Sequence, residues 1–311
     1  MSLTIFSGNA NHALAQAVAG HLGVALGKRI LARFPDSELQ VEIEQSVRGY
    51  DVYLIQPTSP PVDEHLMELL FLADACHRAG ARRVTAIVPY FGYARQDRRG
   101  KGREPVAARI ASDLFAAAHI ARAVALDLHT PELEGFMSIP LEHLTAVPIL
   151  VEAAAPLLGP DCVVVSPDLG GAKLAERYAR ALGRPMAVVH KARLSGHEVE
   201  VRGIVGEVAG RTPVIVDDMV STAGTIAAAT AALLEAGAAP PAIVLATHGL
   251  LVGEALQRMG GLPIKRLIFS DSVEQAVSGL PIQTVSVAPL LAEAIRRLHS
   301  EQSLADLIVH Q

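Results

Sequence analysis

Two adjacent carboxylates, Asp217 and Asp218, follow the apolar run Val214-Ile-Val216, and Ser221-Thr-Ala-Gly-Thr225 comes shortly after them. Such an apolar run reads as a strand buried on both faces, so both acids emerge at its carboxyl end, where open α/β sheets hold their ligands. Neighbouring carboxylates repel one another and need a cation or hydroxyl donors beside them. Ser221, Thr222, Ala223, Gly224 and Thr225 then offer hydroxyls and backbone N–H groups at the start of an alanine-rich helix, a cradle for a phosphate dianion. Acids suit sugar hydroxyls and the helix start suits phosphate, so together they describe a sugar phosphate. The plainer alternative is a surface turn in which Asp218 or Ser221 only caps the helix.

A second segment with chemical content is Pro89-Tyr-Phe-Gly-Tyr-Ala-Arg-Gln-Asp-Arg-Arg99, directly after the apolar run 84–88. Arg95, Arg98, Arg99, Lys101 and Arg103 form a cationic rim suited to a polyphosphate, while Tyr90, Phe91 and Tyr93 pack either on a base or on the neighbouring core. A solvated basic loop with aromatics tucked beneath it is the alternative. Lys191 and Arg193 precede Leu194-Ser-Gly-His197, whose glycine and short polar residues suit a closing lid. Without that lid they are ordinary loop charges. His129 is one of 12 histidines, and Mg²⁺ prefers oxygen ligands, so its type alone makes it a filler as readily as a ligand. Asp168 suits either a metal ion or the N-cap of the helix that follows it.

Rigid elements must hold these groups. Short apolar runs near 3–6, 52–55, 84–88, 123–126, 163–165, 186–189, 214–216, 243–246 and 267–269 read as strands. Helical stretches alternate with them near 10–21, 63–79, 104–118, 172–181, 225–236 and 288–299, which predicts an α/β fold of mainly parallel sheets flanked by helices. Each half repeats the alternation, so two similar domains are expected, 1–145 and 146–311, with the boundary among the prolines at 140–148. The 311 residues suffice for two domains of ordinary size. Half of them are hydrophobic, yet no apolar run approaches a membrane span and the opening residues lack a signal peptide's pattern. Cys76 and Cys162 are too few for a disulfide framework, so a cytoplasmic protein is expected. A net charge of −5, no Trp and 4% aromatic residues give no reason to expect nucleic acid.

The sugar-phosphate segment resembles the ribose-5-phosphate loop shared by phosphoribosyltransferases and ribose-phosphate pyrophosphokinases. Tyr90-Phe-Gly-Tyr-Ala-Arg-Gln-Asp-Arg98 narrows the choice, because it is similar to the ATP signature of the pyrophosphokinase family and phosphoribosyltransferases do not carry it. Further matches run through nearly the whole chain: Phe34-Pro-Asp-Ser-Glu38, Asp127-Leu-His129 with Gly135-Phe136, Ser166-Pro-Asp168 with Gly170-Gly171, Lys191-Ala-Arg193, and Ala246-Thr-His-Gly249.

The resemblance implies two phosphoribosyltransferase-like domains and transfer of the β,γ-pyrophosphoryl group of ATP to the anomeric hydroxyl of ribose 5-phosphate, leaving AMP, in nucleotide biosynthesis. It implies ATP binding by Arg95, Gln96, Asp97 and His129, and by Phe34, Asp36 and Glu38 reaching a neighbouring subunit's site. A homo-oligomer follows, at least a dimer with a shared ATP site, and a hexamer or tetramer by resemblance. Mg²⁺ is implied at His129 and Asp168, catalysis at Lys191 and Arg193, and ribose 5-phosphate at Asp217, Asp218 and 221–225. Ser37 stands where the family usually has Gly, and Ser221 where it usually has a third Asp. The loop 191–199 lacks the usual double Arg, features that resemble the archaeal-type branch and bear on ADP regulation more than on chemistry. A phosphoribosyltransferase and a non-catalytic regulatory relative are the rivals; the first would lack 90–99, and the second usually loses the catalytic-loop cations.

Overall fold

A computed structural model describes residues 2–193, 199–275 and 278–309. The first part of the chain runs β1 (Leu3–Ser7), α1 (His12–Leu22), β2 (Arg29–Arg33), β3 (Leu39–Ile43), β4 (Asp51–Ile55), α2 (Val62–Arg78), β5 (Arg83–Val88), α3 (Ala107–Ala117), β6 (Arg122–Leu126) and β7 (Leu141–Leu144). It continues as α4 (Val147–Ala154), β8 (Cys162–Ser166), α5 (Ala172–Leu182), β9 (Met186–Arg193), β10 (Val199–Val205), β11 (Thr212–Val220), α6 (Gly224–Glu235), β12 (Ala242–Gly249), α7 (Ala255–Gly260), β13 (Ile264–Ser270), β14 (Ile282–Val285) and α8 (Ala288–His299).

The uninterrupted apolar runs became central strands. β4 and β8 are buried at every residue, as strands covered by helices on both faces must be. In the first unit, β1-β4-β5-β6-β7 form a parallel five-stranded sheet whose order follows the chain without reversal. Phe6, Leu54, Val88 and Phe115 sit in its core. In the second unit the seven-stranded order is β10-β9-β8-β11-β12-β13-β14, parallel except for the β9–β10 hairpin. From β8 the chain builds outward to β9 on one side, and from β11 to β12 on the other. That reversal makes the carboxyl ends of β8 and β11 a topological switch point.

The compact units are Met1–Thr145 with Ser272–Glu274 and Ser286–Gln311, and Ala146–Asp271 with Gln275–Val285. The sequence reading put 146–311 in one domain; the end of the chain instead returns to the first unit. Side-chain and backbone bonds explain the return. His299 Nδ1 lies 3.0 Å from Asp51 Oδ2, and the Val309 N–H donates to the His143 carbonyl at 2.8 Å.

Candidate active site

β11 carries the acids further than the apolar run alone implies. Its pairing with β8 ends at Ile215↔Val165, but pairing with β12 continues through Asp217↔Ala246 to Val220↔Gly249. Asp217 and Asp218 therefore lie within the strand, at the level where β8 has already turned away. The turn after β8 supplies Asp168. Its backbone carbonyl accepts from Ser166 Oγ at 2.6 Å, and its Oδ1 accepts from the Gly171 N–H at 3.2 Å, just ahead of α5. The N-cap of α5 is Gly171, so Asp168 does not cap the helix as the alternative had it; it braces the turn ahead of the helix with one oxygen.

Burial pushes the Asp217 carboxyl well above the ordinary carboxylate range, and the nearby charges of Asp218 and Asp168 push it the same way. The Asp218 N–H, donating to Asp217 Oδ1 at 3.0 Å, offsets part of this. The charges of three carboxyl groups thus act on one another here, and a sugar's hydroxyls would relieve that repulsion. Among the described residues no group of three or more His, Cys, Asp or Glu is placed to hold a metal ion.

Beyond Val220 the chain turns through Ser221 and Thr222 into α6. Ala223, the N-cap, is buried and left-handed at φ 60°, and among the described residues no side chain caps this end. A helix start without a side-chain cap is the kind of end that suits an anion. Sequence reasoning missed Arg258 on α7: Nη1 donates to the Thr222 carbonyl at 3.1 Å, and Nη2 pairs with Glu254 at 2.7 Å. It pins the turn and sets a guanidinium beside the loop. Only its basic type on a short helix hinted at this.

Lys191 and Arg193 fall within β9 rather than on a loop, because β9 extends to pair with β10 in the register Lys191↔Val201 and Arg193↔Val199. The expected lid residues Leu194–His197 lie outside the described residues.

In the first unit, Tyr90 and Phe91 resolve the open choice in favour of the core: both are buried, and Phe91 packs on Phe115 at 5.5 Å between ring centroids. Their burial anchors the loop that exposes Arg95 and Gln96, with Asp97 half-buried and 3.3 Å from Arg98. Gly92 is needed there because a Cβ would stand 2.6 Å from the Thr58 carbonyl oxygen. Glu104 Oε2 accepts from the N–H groups of Gly100 at 2.6 Å and Lys101 at 2.8 Å, holding the loop's far end. Phe34, Asp36 and Glu38 form the turn of the β2–β3 hairpin, which the sequence reading did not recognise as strands. Phe34 is 47% exposed, and the Glu38 N–H donates to Asp36 Oδ1 at 3.2 Å. Both segments are tied to the first turn of α2, Tyr93 Oη by Asp63 and Arg33 by Glu64 at 2.5 Å. His129 is exposed, three residues after the end of β6, in the first unit; Asp168 belongs to the second.

A doubly wound sheet with an acidic pair and an open helix start at its switch point defines an α/β protein of the phosphoribosyltransferase type. Residues 3–118 match the N-terminal domain of ribose phosphate pyrophosphokinase, and 193–309 match the phosphoribosyl synthetase-associated domain. A ribose-phosphate pyrophosphokinase from Staphylococcus aureus is 46% identical, covering 98% of this chain and 97% of the relative; one from Staphylococcus epidermidis is 45% identical over the same shares. The crystal structure of phosphoribosylpyrophosphate synthetase from Mycobacterium smegmatis superposes with a TM-score of 0.89 at 38% identity, over 97% of this chain and 100% of that one. The chain belongs to the ribose-phosphate pyrophosphokinase family.

Proposed function

We propose that this protein is a ribose-phosphate diphosphokinase, which moves the β,γ-pyrophosphoryl group of ATP to the C1 hydroxyl of ribose 5-phosphate and releases AMP. The observation that carries this reading is the acid pair Asp217–Asp218 beside the uncapped start of α6, on the same chain as the exposed arginine loop after β5. Asp217 and Asp218 accept hydrogen bonds from the sugar's ring hydroxyls. The backbone of Thr222, Ala223, Gly224 and Thr225, with Ser221 leading in, holds the 5-phosphate. Arg95, Gln96 and Asp97 engage the nucleotide, and Phe34, Asp36 and Glu38 complete the ATP site of an adjacent subunit in a homo-oligomer. We assign Lys191 and Arg193 to the charge that develops on the β-phosphate oxygens and the departing α-phosphate oxygen. Mg²⁺ would supply neutralisation of polyphosphate charge when bound, with Asp168 offering an oxygen donor to it.

A cytoplasmic setting accords with Cys76 and Cys162, both free and buried, the Cys76 thiol pushed up to about 12 by burial. Among the described residues no helix is long and apolar enough to cross a membrane. The deciding experiment incubates the protein with ribose 5-phosphate, ATP and Mg²⁺. AMP should appear mole for mole with phosphoribosyl pyrophosphate; ADP with ribose 1,5-bisphosphate, or no turnover with any purine nucleoside triphosphate, would overturn the assignment. Mixing an inactive Asp36→Ala, Glu38→Ala chain with an inactive Lys191→Ala chain tests the shared site, since intact half-sites should restore part of the activity once subunits exchange.

A further inference from the structure

Arg95 is exposed, yet the backbone on either side of it is fixed. Ala94, just before it, is buried, and its carbonyl accepts from the Thr130 hydroxyl at 3.2 Å. Gln96, just after it, accepts at its carbonyl from the Ala108 N–H at 3.2 Å, where α3 starts, and its own N–H donates to the Tyr93 carbonyl at 2.8 Å. Tyr93 is left-handed at φ 65°, a costly state for a tyrosine that surrounding bonds must hold in place.

Thr130 can hold the Ala94 carbonyl only if it is itself held. It is buried next to the exposed His129, in the turn that follows β6. Three bonds tie this turn to β7 and the residue after it. The Asp127 N–H donates to the Leu144 carbonyl at 3.0 Å, and the Leu128 N–H donates to Nε2 of the buried His143 at 2.8 Å. Asp127 Oδ1 accepts from Thr145 Oγ1 at 2.7 Å. Every link from β7 to Arg95 lies inside one compact unit.

We propose that Thr130 is a positioning residue for the nucleotide, a role that rests on ATP binding at the loop after β5: its buried hydroxyl carries the fixed frame of β7 to the backbone of Arg95. A guanidinium on a loose loop must be ordered when an anion binds, and that ordering lowers affinity. A backbone fixed in advance avoids the loss. Valine at 130 keeps the branched shape of threonine but leaves the buried Ala94 carbonyl without this donor, whereas serine keeps the donor.

The test compares the full chain with Thr130→Val, Thr130→Ser and Arg95→Ala, and with Thr130→Val combined with Arg95→Ala, using ATP, Mg²⁺ and ribose 5-phosphate. Thermal unfolding of each fixes an assay temperature at which all are folded. Thr130→Val should raise KM for ATP by roughly three- to tenfold and leave KM for ribose 5-phosphate within about twofold, while Thr130→Ser stays within about twofold of the parent on both. On top of Arg95→Ala, Thr130→Val should add less than about twofold, because the group it positions is gone. A hydroxyl that served folding alone would lower Tm without raising KM for ATP selectively, or would add its full effect to Arg95→Ala. Either result overturns the proposal, as does a serine variant that behaves like valine. A parent that forms no AMP would overturn the function assignment and this role with it; an active parent whose KM for ATP ignores Thr130→Val overturns this role alone.

Discussion

The first unit keeps its cations in the open, with Arg95, Arg98 and Arg99 exposed on the loop after β5, whereas the second draws acids together, with Asp217 pushed up by burial and by Asp218 and Asp168. The two sheets explain the contrast. The second sheet reverses its strand order at β8 and β11, the switch point beside whose strand ends open α/β sheets hold their ligands. The first sheet adds strands in one direction only, and its loop is shaped by anchoring aromatics and by a hairpin held against α2. Exposed guanidinium groups cost little while they wait for a polyphosphate. Converging carboxyls repel one another, and hydroxyls or a cation beside them would relieve that repulsion.

The largest expected effect falls on the residues of β9. Lys191→Ala and Arg193→Ala should each raise the barrier by about 3–4 kcal/mol, at least roughly a hundredfold in kcat, while both KM values move only a few-fold. Steady-state kinetics check this, and near-normal kcat in Lys191→Ala would move the catalytic cations to the first unit, to Arg98 and Arg99.

Next come the acids. Asp217→Asn and Asp218→Asn should each weaken ribose 5-phosphate by about 1.5–3 kcal/mol, the worth of a charge-assisted hydrogen bond, and change ATP affinity far less. Stability should move the other way for Asp217→Asn. The folded carboxyl binds its proton more tightly than the unfolded one, so folding gains stability as pH falls through the raised value and loses it as pH rises past it. Without ligand, Asn at 217 should therefore melt higher than the parent at pH 8, and the advantage should shrink as pH is lowered toward the ordinary carboxylate range. Melting curves across that range settle it; an Asn variant less stable at pH 8 would show that the acids are comfortable unliganded.

A smaller effect separates the two phosphate sites. Arg95→Ala should raise KM for ATP and leave that for ribose 5-phosphate nearly unchanged; Arg258→Ala should do the reverse, by roughly three- to tenfold, through loss of its bond to the Thr222 carbonyl. Crossed effects would erase the division of labour between the units. The smallest change is Ser37→Gly. Ser37 is left-handed at φ 77°, where Gly is the unstrained choice, so the substitution should alter stability by about 1 kcal/mol or less, in the stabilising direction, as read from chemical denaturation.

Much of this was legible in the residues. All nine apolar runs became strands, and the segments expected at the site, apart from Phe34–Glu38 in the β2–β3 turn, lie where strands β5, β6, β8, β9 and β11 end or in the turns after them. The hairpin β2–β3 was hidden because Arg29-Ile-Leu-Ala-Arg33 and Leu39-Gln-Val-Glu-Ile43 mix charge with apolar residues on a half-exposed ribbon. The reach of β11 to Val220 and of β9 to Arg193 depends on their partners β12 and β10, which no local pattern records. Arg258 was invisible for the same reason, since its partner Thr222 lies 36 residues away.

The homeward turn of α8 has a consequence for how the protein is made. Asp51 meets His299 across 248 residues of chain, so the unit that leaves the ribosome first is the one whose last helix arrives last. The second unit needs nothing beyond Val285, where its last strand β14 ends, just ahead of α8. Until α8 emerges, the first unit lacks the helix that packs on α1, so its folding is expected to finish only after the second unit's chain is complete.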